Sequence, residues 1–270
     1  MTRRRGFSLI EILIAVVLLG IIGAGVTRLL QSQMRFFGRA TNGRDARAVT
    51  RNALNLMRNE MRMIEPTGIT AATTTSITVR VPYAMGVYCS ASTVTFIPVD
   101  SLVWATATNA GYAYRDTAPN APYVWVTASS APAAGLTASC TAVGITPVTG
   151  GAVRILAPAL AVAAGAPVLL YQTVRYSLAA SVLVSGRTAL WRTVTGGAAE
   201  EIAVPFGAGS VFRFYVSGGV ASQAAVPGTL TTISGLELVL VAESERDSPG
   251  TLEPASADSR VSIFFRNAVN

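Results

Sequence analysis

No histidine and no lysine occur among the 270 residues, so all 21 cationic side chains are arginine. Without imidazole there is no histidine-based triad, proton shuttle or imidazole metal site. Without a side-chain amine there is no Walker A loop, Ser-Lys dyad or Schiff base. Cysteine is confined to Cys89 and Cys140, too few for a structural zinc site by themselves. Charged residues make up only 13% of the chain. The one adjacent acidic pair that invites a dyad, Glu200-Glu201, sits in strand-like sequence, where neighbours point to opposite faces. The composition argues against an enzyme, and we expect no catalytic, cofactor-binding or metal residue.

The net charge of +7 has an uneven origin. Arg3, Arg4 and Arg5 open the chain, and residues 7–65 hold eight arginines against Glu11, Asp45, Glu60 and Glu65. Residues 66–270 hold ten arginines and ten acids. The basicity therefore belongs to the N-terminal quarter. A neutral remainder argues against broad nucleic-acid binding, which needs many phosphate-neutralising cations.

Behind the three arginines runs Phe7–Thr27, 21 residues with a single charge, Glu11. At ~1.5 Å per residue this run is long enough to cross a bilayer as a helix. The basic start keeps the N-terminus cytoplasmic and sends the rest outward. A carboxylate inside such a run costs roughly 2.5–3.5 kcal/mol on insertion scales, so it needs a partner or a purpose. An ordinary secretory signal and a simple signal anchor share the basic start and apolar core, but neither accounts for Glu11. If the chain is cut between Gly6 and Phe7, Glu11 becomes the fifth residue, about one helical turn from a new amine. A carboxylate there is favoured by the helix dipole and by a cation.

Gly6-Phe7-Ser8-Leu9-Ile10-Glu11, after a basic leader and before an apolar helix, resembles the class III signal of type IV pilins and type II secretion pseudopilins. The resemblance implies cleavage after Gly6 by prepilin peptidase and N-methylation of Phe7. It also implies insertion in the bacterial inner membrane with the C-terminal domain outside, contact with lipid and with an assembly platform, and passage into a periplasmic or surface filament. Glu11 would then pair with a neighbouring subunit's Phe7 amine and set the stagger. Arg58-Asn59-Glu60-Met61-Arg62, Thr188-Ala189-Leu190-Trp191-Arg192, Gly235-Leu236-Glu237-Leu238 and Phe265-Arg266-Asn267 are similar, more loosely, to minor pilins of the PilW kind and to the J-type pseudopilin. These matches favour a minor subunit that assembles with other pilins. The alternative from another class is a membrane-anchored binding module, an adhesin or DNA-uptake receptor.

The expected fold is α+β: a long N-terminal helix on a mostly antiparallel β-rich domain. Residues 1–6 form the leader, 7–27 the membrane and filament-core helix, 28–65 its amphipathic continuation and 66–270 the β domain. Arg44, Arg47, Arg51, Arg58 and Arg62 make one stripe on the continuation, and Leu54, Met57, Met61 and Ile64 an apolar one. Gly20, Gly23 and Gly25 permit close helix approach. Gly38 and Asn42-Gly43 are weak points for the helix, and Glu65-Pro66 is its expected end. Alternating runs mark strands at Ile77–Pro82, Thr93–Val99, Tyr123–Thr127, Val153–Leu156, Val168–Tyr176, Thr188–Thr193, Ser210–Val216, Leu236–Val241 and Arg260–Arg266. Between them, Ala105–Gly151 reads as an irregular, specificity-bearing insertion.

Cys89 and Cys140 both fall in the exported part, where a lone pair points to a disulfide rather than a metal site. Glu243, Glu245, Asp247, Glu253 and Asp258 form an acidic cluster around Pro249-Gly250. Oxygen ligands on a turn suit calcium, but the spacing matches no EF-hand, and we read the cluster as a solvated acidic loop.

Overall fold

Leu9–Met61 form one helix, α1, of 53 residues, about 80 Å long at ~1.5 Å per residue. The computed structural model describes residues 9–116, 121–128, 132–247 and 253–265. The helix runs without a break through Gly38 and Asn42-Gly43. A glycine costs about 1 kcal/mol in a helix, too little to interrupt one this long. The end comes earlier than Glu65. Met63 N–H bonds the Glu60 carbonyl at 3.3 Å and Ile64 N–H that of Met61 at 3.2 Å. These tighter bonds close the last turn and fold Ile64 inward. Pro66–Gly68 then make a single 3₁₀ turn.

After the helix come β1 (Ile69–Ala72), β2 (Ser76–Tyr88), β3 (Thr93–Phe96) and α2 (Ser101–Thr106). The region 105–151 contains β4 (Gly111–Tyr114), β5 (Val124–Thr127), β6 (Ala133–Ala134) and α3 (Ala138–Thr141). Then follow β7 (Ala152–Ile155), β8 (Pro167–Ala180), β9 (Thr188–Val194), β10 (Ala199–Phe206), β11 (Val211–Val216), β12 (Ile233–Asp247) and β13 (Pro254–Phe264). They join in a connected sheet whose longest path is β11-β12-β10-β9-β8-β2-β3-β7-β6. β8 is its spine: it pairs antiparallel with β2 along nearly its whole length, and its other edge is shared by β4 and β9. The architecture is the α+β arrangement that the sequence led us to expect, a long apolar helix followed by an antiparallel β-rich domain.

The expectation of an irregular insertion at 105–151 is corrected. β4 adds directly to β8 and carries β5 on its far side, so part of the segment belongs to the sheet. Gly111 makes the entry: a Cβ there would lie 2.0 Å from the Val126 carbonyl oxygen, and its φ of +148° suits glycine.

Two hydrophobic clusters fill the domain. One lies under α1 and joins Leu54, Met57, Met61 and Ile64 to inward residues of the strands, among them Val79, Val81, Val174, Tyr176, Leu236 and Leu238. The other lies toward the insertion, around Tyr88, Phe96, Tyr112 and Leu170.

Candidate functional site

The described residues of the N-terminal half of α1 are all exposed. Leu9–Asn42 is the one helix among the described residues long and apolar enough to cross a membrane, and none of its most apolar window is buried. Its exposed residues face every direction: Leu9, Ile12, Leu13, Ile14, Val16, Val17, Leu18 and so on to Phe36 and Phe37. A helix apolar all round is stable only inside lipid or among other helices. Glu11 sits in its first turn. Glu11, Ile12, Ala15, Val16 and Leu19 line a furrow along one side, the kind into which a neighbouring helix sets its side chains. Nothing lies within 4 Å of the Cβ position of Gly20, Gly23 or Gly25. The Thr27 hydroxyl donates to the Gly23 carbonyl at 2.8 Å, so it brings no unsatisfied polar group to this half. Gly6 and Phe7, the expected cleavage and methylation positions, lie outside the described residues.

The other end of α1 is locked to the sheet. Arg192 on β9 donates through Nη2 to Glu60 Oε1 at 2.9 Å, and each side chain is 16% exposed. The Tyr176 hydroxyl, from the neighbouring strand and directly opposite Arg192 in the ladder, donates to Glu60 Oε2. Burial, then the Glu60 charge, push the Tyr176 phenol above its ordinary value. Burial works to lower the Arg192 guanidinium, but the Glu60 hydrogen bond and charge outweigh it and raise the group. Five residues beyond Glu60, Glu65 is buried and desolvation raises its carboxyl. The Tyr123 backbone, the Arg115 charge and the Thr67 hydroxyl oppose that shift. No periodicity marks these residues as partners. The only hint was that the segments holding Glu60 and Arg192 both looked pilin-like.

Cys89, just past β2, is bonded to Cys140 in α3, with Cα atoms 4.7 Å apart. The acidic cluster at 243–258 is not one loop. Glu243 lies on β12 and pairs with Arg187 at 3.2 Å, while Asp258 lies on β13, opposite Val241. Side chains 245–247 lie outside the described residues. Among the described residues no group of acids and cysteines is gathered as a metal would require. Glu201, half of the adjacent pair, accepts from the Ser181 hydroxyl and, at 3.0 Å, from the Val182 N–H, capping that turn.

Residues 1–27 match the family model of the prokaryotic N-terminal methylation motif. The match indicates a precursor of the pilin or pseudopilin type and fits membrane anchoring through the apolar helix. No curated protein and no solved structure matches the chain.

Proposed function

We propose that this chain is a minor subunit of a type IV pilus or of a related type II secretion filament, acting in priming or at the tip. The observation that carries this reading is the apolar half-helix, uncovered on every side, behind a methylation motif that includes Glu11. Prepilin peptidase removes residues 1–6, and the helix waits in the inner membrane with its domain outside. It then leaves lipid for a bundle of like helices. Apolar contact gives little specificity inside lipid, so a charge pair between Glu11 and a neighbour's Phe7 amine sets the stagger. The clamp of Glu60, Arg192 and Tyr176 makes domain and helix move as one body during that transfer. The reading assigns the chain no catalysis.

Sheared filaments analysed by mass spectrometry test it. An N-methylated Phe7 terminus in the filament fraction is the expected result. Intact Met1 confined to membranes would support the anchored binding module instead.

A further inference from the structure

The sheet face turned away from α1 carries a trough of ≈ 310 Å³ beside Arg80. Arg80 lies on β2 between Val79 and Val81, both in the helix-side cluster, so strand alternation turns it to the opposite face. Its guanidinium lies over the Trp125 ring, 5.1 Å from the centroid, and over Tyr171 at 5.6 Å. The two rings meet edge to face at 5.0 Å. Each ring is itself fixed: Trp125 Nε1 donates to the Thr67 hydroxyl at 2.9 Å, and the Tyr171 hydroxyl to the Val126 carbonyl at 3.3 Å. Of the five N–H donors of a guanidinium, Arg80 commits one, from Nη1 to the Thr67 carbonyl at 3.4 Å. Among the described residues no carboxylate pairs with it.

Apart from Ala110, Ala128 and the Tyr171 ring, the rest of the lining is polar and uncharged. Thr70, Thr108, Asn109, Thr127, Thr173 and Thr195 supply its polar groups. The Thr70 hydroxyl donates to the Thr78 carbonyl at 3.3 Å and Asn109 Oδ1 accepts from the Tyr83 hydroxyl at 3.0 Å, while the other threonines add hydroxyls, which both donate and accept. Among the described residues neither an acid nor a second cation lines the trough. A polyphosphate chain is held by several cations, and Arg80 is the one cation among the described residues that lines the trough. A purely apolar ligand would leave the hydroxyls unused. One oriented guanidinium grips a single carboxylate in bidentate fashion. Hydroxyls and an amide around it suit a ring that bears several hydroxyls of its own.

We propose that this trough binds a carboxylate-bearing saccharide, such as a sialic or uronic acid residue of a glycan. The inference goes beyond the filament reading and stands apart from it, because the site shares no residue with α1. Part of the trough comes from the 105–151 region, the segment the sequence marked for specificity.

The test uses the full-length protein in detergent micelles, titrated with sialyllactose, glucuronic acid, lactose and a single-stranded oligonucleotide. Tryptophan fluorescence, to which Trp104, Trp125 and Trp191 all contribute, and calorimetry read the binding. We expect at least one acidic saccharide to bind about tenfold or more tightly than lactose, and Arg80→Gln to remove about tenfold of that preference. Because Arg80→Gln also disturbs the stacked rings, Thr108→Val/Thr195→Val provides a second arm. Both threonines are exposed, so melting should be unchanged while affinity falls severalfold. Acidic saccharides binding no better than lactose would overturn the proposal. So would wild-type affinity in the folded threonine double variant, or tighter Arg80-dependent binding of the oligonucleotide.

Discussion

Arg192 on β9 and Glu60 on α1, 132 residues apart in the chain, meet at 2.9 Å under the phenol of Tyr176. This contact is the polar counterpart of the apolar stripe beside it. Leu54, Met57, Met61 and Ile64 supply adhesion to the sheet, and the ion pair fixes which turn of the helix sits over which strand. Five tests follow from this and neighbouring features.

Removing one partner leaves the other charge mostly buried. Full burial makes such a loss worth about 3–5 kcal/mol, and the residual exposure here lowers the expectation to about 2–3 kcal/mol. Glu60→Leu and Arg192→Leu should each show it in urea unfolding of the full-length protein in detergent. Glu60→Leu/Arg192→Leu should recover most of it, because no unpaired charge remains. Simple addition of the two losses would contradict the pairing.

Glu65 gives a pH dependence of known sign. Its folded-state pKa is raised by burial, so the folded chain holds that proton longer than the unfolded chain. The stabilisation is full below the ordinary carboxylate value of 4.5 and is lost as pH rises through the folded value. Wild-type Tm should therefore fall relative to Glu65→Gln across that window. Parallel Tm curves for the two proteins would remove Glu65 as the source.

The Cys89–Cys140 bond closes a loop with a sequence separation of 51. The chain-entropy model gives such a loop about 4 kcal/mol. Cys89→Ser/Cys140→Ser should lose much of this in denaturant titration, with a larger m-value, because the unfolded chain without the cross-link exposes more surface. Thiol labelling of denatured, unreduced protein from the periplasm should find no free thiol. Two labelled thiols would reject the bond.

Gly6→Leu should leave the leader attached and exclude the chain from filaments, while insertion in the membrane continues. A small residue before the cut is part of the signal that this sequence resembles. N-terminal sequencing of the membrane fraction decides the matter. Efficient loss of residues 1–6 from the variant counts against the assignment.

Glu11→Val should insert at least as well as wild type, since it removes a cost of roughly 2.5–3.5 kcal/mol. It should nonetheless enter filaments poorly, because the registering charge is gone. The quantity to measure is the ratio of this chain in sheared filaments to that in membranes. An unchanged ratio would take Glu11 out of assembly.

What the sequence made legible was periodic or local. The apolar run, Glu11 and the Leu54-to-Ile64 stripe repeat on length scales that a reader of residues can count. β2, β8 and β12 announce themselves by alternation, as in Ile77, Val79 and Val81. β4 and β10 did not. Gly111–Tyr114 is four residues in an alanine-rich stretch, and Ala199–Phe206 mixes paired acids with a proline. The disulfide followed from there being only two cysteines. The Glu60–Arg192 pair and the Arg80 stack join residues distant in sequence through side chains alone, and no spacing encodes such meetings.

The division of the interior into two hydrophobic clusters has a consequence for how this chain can change over generations. β2 and β8 run through both, but one cluster seats α1 while the other supports the face bearing β4 and β5. Substitutions without shared partners act nearly independently on stability. Drift around Tyr112 and Leu170 can therefore remodel the outward surface while the helix seat is preserved. A lineage can exchange what the outward face displays and keep the seat that holds the helix.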